Sequence, residues 1–124
     1  MITPKESVDA LIEHFWQNGY LTLSRKYGTY LPAPKKVGGY EVDAVAKYKQ
    51  KIAIGISLTE EELNDPMIIS KLSFLASKNS ESSSRRVTLF VGVPAESLSK
   101  AKIIVSGLDE EIKKNIKVVP IFSS

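Results

Sequence analysis

The segment Lys51-Ile52-Ala53-Ile54-Gly55-Ile56-Ser57-Leu58 constrains the fold more than any other part of the chain. Ile52, Ile54, Ile56 and Leu58 recur every second residue and share one face of a β-strand. Ala53, Gly55 and Ser57 share the other face, and all three are small. A strand with one heavy and one small face has something close on its second side. A packed helix or a cleft satisfies this equally. Tyr40 to Lys47 precedes it as the first arm of a hairpin, with the turn near Tyr48-Lys49-Gln50.

The flanking segments add helices and further strands. Thr3 with Glu6 forms a capping box and Pro4 suits the first helical position, so a helix starts there. Val8, Leu11, Ile12, Phe15 and Trp16 form its apolar stripe, and Asn18-Gly19 ends it. Tyr20 to Ser24 is a short strand. Thr59-Glu60-Glu61-Glu62 is a second capping box opening a short turn, and a helix over 65–78 follows with Ile68, Ile69, Leu72, Leu75 and Ala76 inward. The Ser-rich stretch 78–86 reads as a mobile loop. Val87 to Val93 is nearly all apolar, as in a central strand covered on both faces. A helix over 95–106, a short helix over 109–115 and a strand over 117–122 complete the chain. Pro120 lacks an N–H and places that last strand at an edge. The predicted class is α/β: a mixed β-sheet flanked by helices, order α-β-β-β-α-β-α-β, in a single domain spanning 1–124.

Composition narrows the chemistry. With no cysteine and His14 as the sole histidine, zinc sites and thiol catalysis are excluded. No apolar run approaches the roughly 20 residues a bilayer requires, and the first residues lack the pattern of a signal peptide. The expectation is a cytoplasmic protein without membrane contact. The formal net charge of +3 does not by itself imply nucleic acid.

The element order and the segment Gly39-Tyr40-Glu41-Val42-Asp43-Ala44-Val45-Ala46 resemble the restriction-endonuclease-like PD-(D/E)xK superfamily, chiefly Mrr-type endonucleases and archaeal Holliday junction resolvases. The resemblance covers roughly residues 4 to 93. It implies a site in which carboxylates hold Mg²⁺ at a scissile phosphate and a lysine supports the attacking water. Asp43 matches the family's first aspartate, and Glu41, two residues earlier, points to the same face. These two are the catalytic and metal-binding candidates. The acid-x-lysine pair of the third strand is missing, because Gly55-Ile56-Ser57 stands in its place. Lys71 is the candidate for a relocated lysine, and Asp9 the candidate for a substitute acid. The plainer readings stand beside these. Gly55 is room for the first helix to pack closely, Lys71 a surface lysine, His14 a surface histidine, and Trp16, Phe15 and Phe74 core or interface.

The loop over 25–39 holds four basic residues and no acidic one. Arg25, Lys26, Lys35 and Lys36 can neutralise phosphates, and Tyr27 and Tyr30 can stack on bases. The loop just precedes Asp43, so the expectation places it at the rim of the site. The function expected is association with nucleic acid, DNA in particular, through a nuclease-type domain with a degenerate active site. No cofactor is expected. The alternatives are a Mg²⁺-dependent endonuclease with a relocated lysine, or a protein-interaction domain. The family resemblance also raises a homodimer.

Overall fold

The structure, a computed structural model, describes residues 2–77 and 87–122. Helix α1 (Pro4–Gln17) is followed by strands β1 (Leu21–Arg25), β2 (Ala44–Tyr48) and β3 (Lys51–Ser57). Helices α2 (Glu60–Asn64) and α3 (Ile68–Ser77) lead to β4 (Thr88–Pro94). A 3₁₀ turn (Ala95–Ser97), helices α4 (Leu98–Ser106) and α5 (Glu110–Lys113), and strand β5 (Ile116–Ile121) close the chain. The five strands form one mixed sheet in the order β1-β2-β3-β4-β5. β1/β2 and β2/β3 are antiparallel, whereas β3/β4 and β4/β5 are parallel. The Ser-rich stretch 78–86 lies outside the described residues.

The two faces of β3 sort the packing as its alternation requires. Ile54, Ile56 and Leu58 join Leu72, Leu75 and Ala76 of α3 and Ala101 of α4 in the larger core. On the opposite face, Leu11 and Phe15 of α1 meet Ala44, Ala46, Ala53 and Phe90. Small residues are needed here because α1 lies close against the sheet. A Cβ on Gly55 would stand 2.7 Å from Phe15 Cζ, well inside van der Waals contact. The small face of β3 is therefore a helix seat. The capping box of α1 is formed in both directions, between the Thr3 side chain and Glu6 N–H and between the Glu6 carboxylate and Thr3 N–H. Gly19 ends the helix at φ +86°, a conformation that favours glycine.

Several expectations need correction. Trp16 is 76% exposed and not part of the stripe, because Phe15 takes the inward position beside it. Ile69 likewise faces outward from α3, and Phe74 stands at its partly exposed margin against Tyr40. The first hairpin arm begins at Ala44, not Tyr40. Tyr40 instead bridges back to Val37, and the turn tightens to Lys49-Gln50 with Lys49 at φ +55°. His14 is half-buried, its Nε2 3.3 Å from the Pro120 carbonyl oxygen, rather than an ordinary surface histidine. β5 is an edge strand, as Pro120 requires.

Candidate functional site

The parallel strands β3, β4 and β5 all end on one side of the sheet. In open α/β sheets the crevice beyond such strand ends is where ligands bind. A cleft of about 460 Å³ opens there, between the start of α1, the end of β3 and the start of α2, and it contains Asp43, Lys26 and Ser57.

Asp43 sits one residue before β2, and its backbone N–H donates to the Gly55 carbonyl at 2.8 Å. β2 then lacks a residue to continue the ladder, and Ser57 on β3 loses a backbone partner on that side. The Asp43 carboxylate takes over: its Oδ2 accepts from the Ser57 N–H at 2.6 Å and from the Ser57 Oγ–H at 3.0 Å. Its other oxygen, Oδ1, lies 3.6 Å from the Lys26 ammonium, which is also 3.8 Å from Glu41 Oε2. The Asp43 side chain is only 15% exposed, against 68% for Glu41. Asp43 thus finishes the β2–β3 ladder and holds an ammonium in place.

Asp43 and Glu41 do come together, as their spacing implies, but they do so around Lys26. The sequence places this lysine in the basic loop as a candidate phosphate contact, and the fold turns it inward to the acids. Its place follows from pairing: β1 is antiparallel to β2 with Arg25 opposite Ala44, so the next residue along lies beside Asp43. The Lys26 N–H also donates to the Asp43 carbonyl at 2.9 Å. Lys71 sits on α3 and is not among the residues of the cleft. Asp9 is engaged elsewhere, in ion pairs with Arg25 at 2.5 Å and Lys5 at 3.0 Å. The hydrogen bond from Arg25 holds the Asp9 carboxyl below the usual carboxylate range, with burial opposing it and Lys5 reinforcing it.

The donor set around Asp43 does not suit a divalent cation. Mg²⁺ requires several oxygen ligands with free lone pairs. Asp43 instead faces two hydrogen-bond donors of Ser57 and an ammonium, and Gly55, where the resemblance led one to look for a second acid, is covered by the Phe15 ring. Among the described residues no three histidine or carboxylate groups cluster closely enough to hold a metal ion. The cleft also carries Glu60, Glu62 and Glu96, so four carboxylates face one lysine. That balance repels a phosphate backbone.

The basic loop is divided in the fold. Arg25 and Lys26 are tied to acids from α1 and from the approach to β2. Tyr27 and Tyr30, 53% and 95% exposed, border a separate depression with Lys5 and Arg25. Lys35 and Lys36 are exposed, just before Val37, which packs against the α3-side core, and Gly38, which abuts Phe74. Among the described residues no helix is long and apolar enough to cross a membrane. No family model, curated protein or solved structure matches this chain.

Proposed function

We propose that the chain is a nucleic-acid-associated domain of restriction-endonuclease-like type that does not cleave its partner. The observation that carries this reading is the state of Asp43. The one acid that matches the nuclease motif accepts two hydrogen bonds from Ser57 and pairs with Lys26, and it lines a cleft whose other carboxylates disfavour a phosphate. Three antiparallel strands followed by a helical crossover to a parallel strand support the family reading. Association with nucleic acid is supported by Lys35, Lys36, Lys47, Lys49 and Lys51, which have no carboxylate partner among the described residues.

A second reading has one observation in its favour. Lys26 brings an ammonium to Asp43, so a relocated-lysine nuclease would use Lys26 and not Lys71. One experiment tests both. Linear and branched DNA are incubated with the protein in Mg²⁺ and in Mn²⁺, and binding is followed on the same substrates at low salt. The expected result is salt-sensitive binding without cleavage. Cleavage abolished in both Asp43→Ala and Lys26→Ala would replace the first reading by the second. Absence of binding at low salt would leave the interaction-domain alternative.

A further inference from the structure

Four aromatic side chains stand outward along one flank of the molecule: Tyr30 (95% exposed), Tyr27 (53%), Trp16 (76%) and Tyr48 (38%). Their positions follow from three contacts. Tyr27 and Tyr30 share a depression of about 260 Å³ with Lys5, at the start of α1, and Arg25, at the end of β1. Asp9 pairs with both of these cations and so marks the stripe of α1 that faces β1. Trp16 follows Asp9 by seven residues, nearly two full helical turns. It therefore lies on the same stripe about 10 Å further along. Where α1 ends, the Tyr48 ring lies against Gly19, whose added Cβ would stand 2.8 Å from it. The Lys49 ammonium is 5.5 Å from the centre of the Tyr48 ring, and Lys51 pairs opposite Tyr48. Lys49 and Lys51 have no carboxylate partner among the described residues.

We infer that this α1–β1 flank is a track for single-stranded nucleic acid. The inference rests on the nucleic-acid reading above and names the class of ligand. Exposed rings stack on unpaired bases, whose faces a duplex hides, and interleaved cations neutralise the connecting phosphates. Lys5, 63% exposed, is the accessible cation at one end, where Arg25 is tied to Asp9, and Lys49 and Lys51 supply the other. Glu6 and Glu13 are exposed carboxylates on the outer side of α1, away from the sheet. From Lys5 to Asn18 the helix advances about 20 Å, the length of about six stacked nucleotides. The carboxylate-lined cleft stays outside the track.

Trp16 is the only tryptophan, so its emission reports on the middle of the track. The intact chain is titrated at low salt with fluorescein-labelled (dT)12 and with a labelled duplex of about the same length, following anisotropy and tryptophan emission. The expected result is tighter binding of (dT)12, accompanied by quenching of Trp16. Trp16→Ala then weakens (dT)12 binding by about five- to a hundredfold and leaves duplex binding unchanged. Should Trp16→Ala fail to fold, Lys49→Glu combined with Lys51→Glu weakens (dT)12 binding in its place. Binding of duplex without quenching, or full (dT)12 affinity in both variants, overturns the track and leaves the nucleic-acid reading standing. Absence of binding to either oligonucleotide overturns both.

Discussion

Replacing Asp43 by alanine separates a structural carboxylate from one held ready for a ligand. The Ser57 N–H, 2.6 Å from Oδ2, has no continuing β2 backbone to turn to, and a hydrogen bond from a partly buried donor to a charged acceptor is worth about 1.5–3 kcal/mol. The Ser57 hydroxyl at 3.0 Å borders the cleft and can re-bond to water, so its loss adds about 0.5–1 kcal/mol. The Lys26 pair at 3.6 Å, with the lysine 30% exposed, contributes under about 1 kcal/mol. The sum is a destabilisation of about 2–5 kcal/mol. At about 3–5 °C per kcal/mol for a domain of this size, Tm falls by roughly 6–25 °C. Asp43→Asn keeps an acceptor for the Ser57 N–H and should cost about half as much, and Ser57→Ala about 1 kcal/mol. Thermal and urea unfolding at neutral pH measure the order Asp43→Ala, Asp43→Asn, Ser57→Ala. An Asp43→Ala protein as stable as the wild type, or more stable, would refute the reasoning. It would mean that the carboxylate is held against its own preference, as catalytic groups often are.

Further outcomes are expected at Gly55, at Asp9 and in the basic loop. Gly55→Ala places a methyl 2.7 Å from Phe15 Cζ, and that ring is held edge-on by Phe90 at 5.0 Å, so overpacking should cost about 1–3 kcal/mol in urea unfolding; Gly55→Glu with Ser57→Lys, which puts an acid under Phe15 and a lysine beside Asp43, should unfold more readily still and gain no cleavage. Asp9 is held below the usual carboxylate range, so the unfolded chain binds its proton more readily, and the stabilisation is present above that range and lost as pH falls through it to the lowered native value; the Tm difference between wild type and Asp9→Asn should therefore shrink on acidification. Lys35→Ala with Lys36→Ala should flatten the slope of log K against log[salt] on duplex DNA by up to about 1.8. Arg25→Ala and Lys26→Ala should instead lower Tm, because both side chains are engaged in ion pairs.

The α/β class, with five strands in a mixed sheet flanked by helices, and the sidedness of β3 were legible in the sequence because both depend on local periodicity. The alternation of Ile54 and Ile56 with Ala53 and Gly55 dictates which face meets the larger core, and the Thr3 and Thr59 capping boxes mark helix starts by short-range bonds. Pro120 announced an edge strand for the same local reason, its missing N–H. Periodicity was less decisive at the margins of a stripe. Trp16 and Ile69 fit the helical pattern, yet each helix seats only a narrow face on the sheet, and its neighbours Phe15 and Ile68 take that seat.

Whether the small face of β3 met a cleft or a helix was open in the sequence, and Phe15 over Gly55 settled it by a contact 40 residues apart. The partners of the charged groups were likewise invisible until strand register was known. Lys26 reaches Asp43 because β1 and β2 pair with Arg25 opposite Ala44, and Arg25 reaches Asp9 because α1 crosses that end of β1. A charge run therefore shows how many cations the chain carries, whereas the fold determines how many remain free for a phosphate. Ion pairs and packing act through space at a few ångströms, and sequence distance carries no record of them; local hydrogen bonds and side-chain period act along the chain, and these are written in the order of its residues.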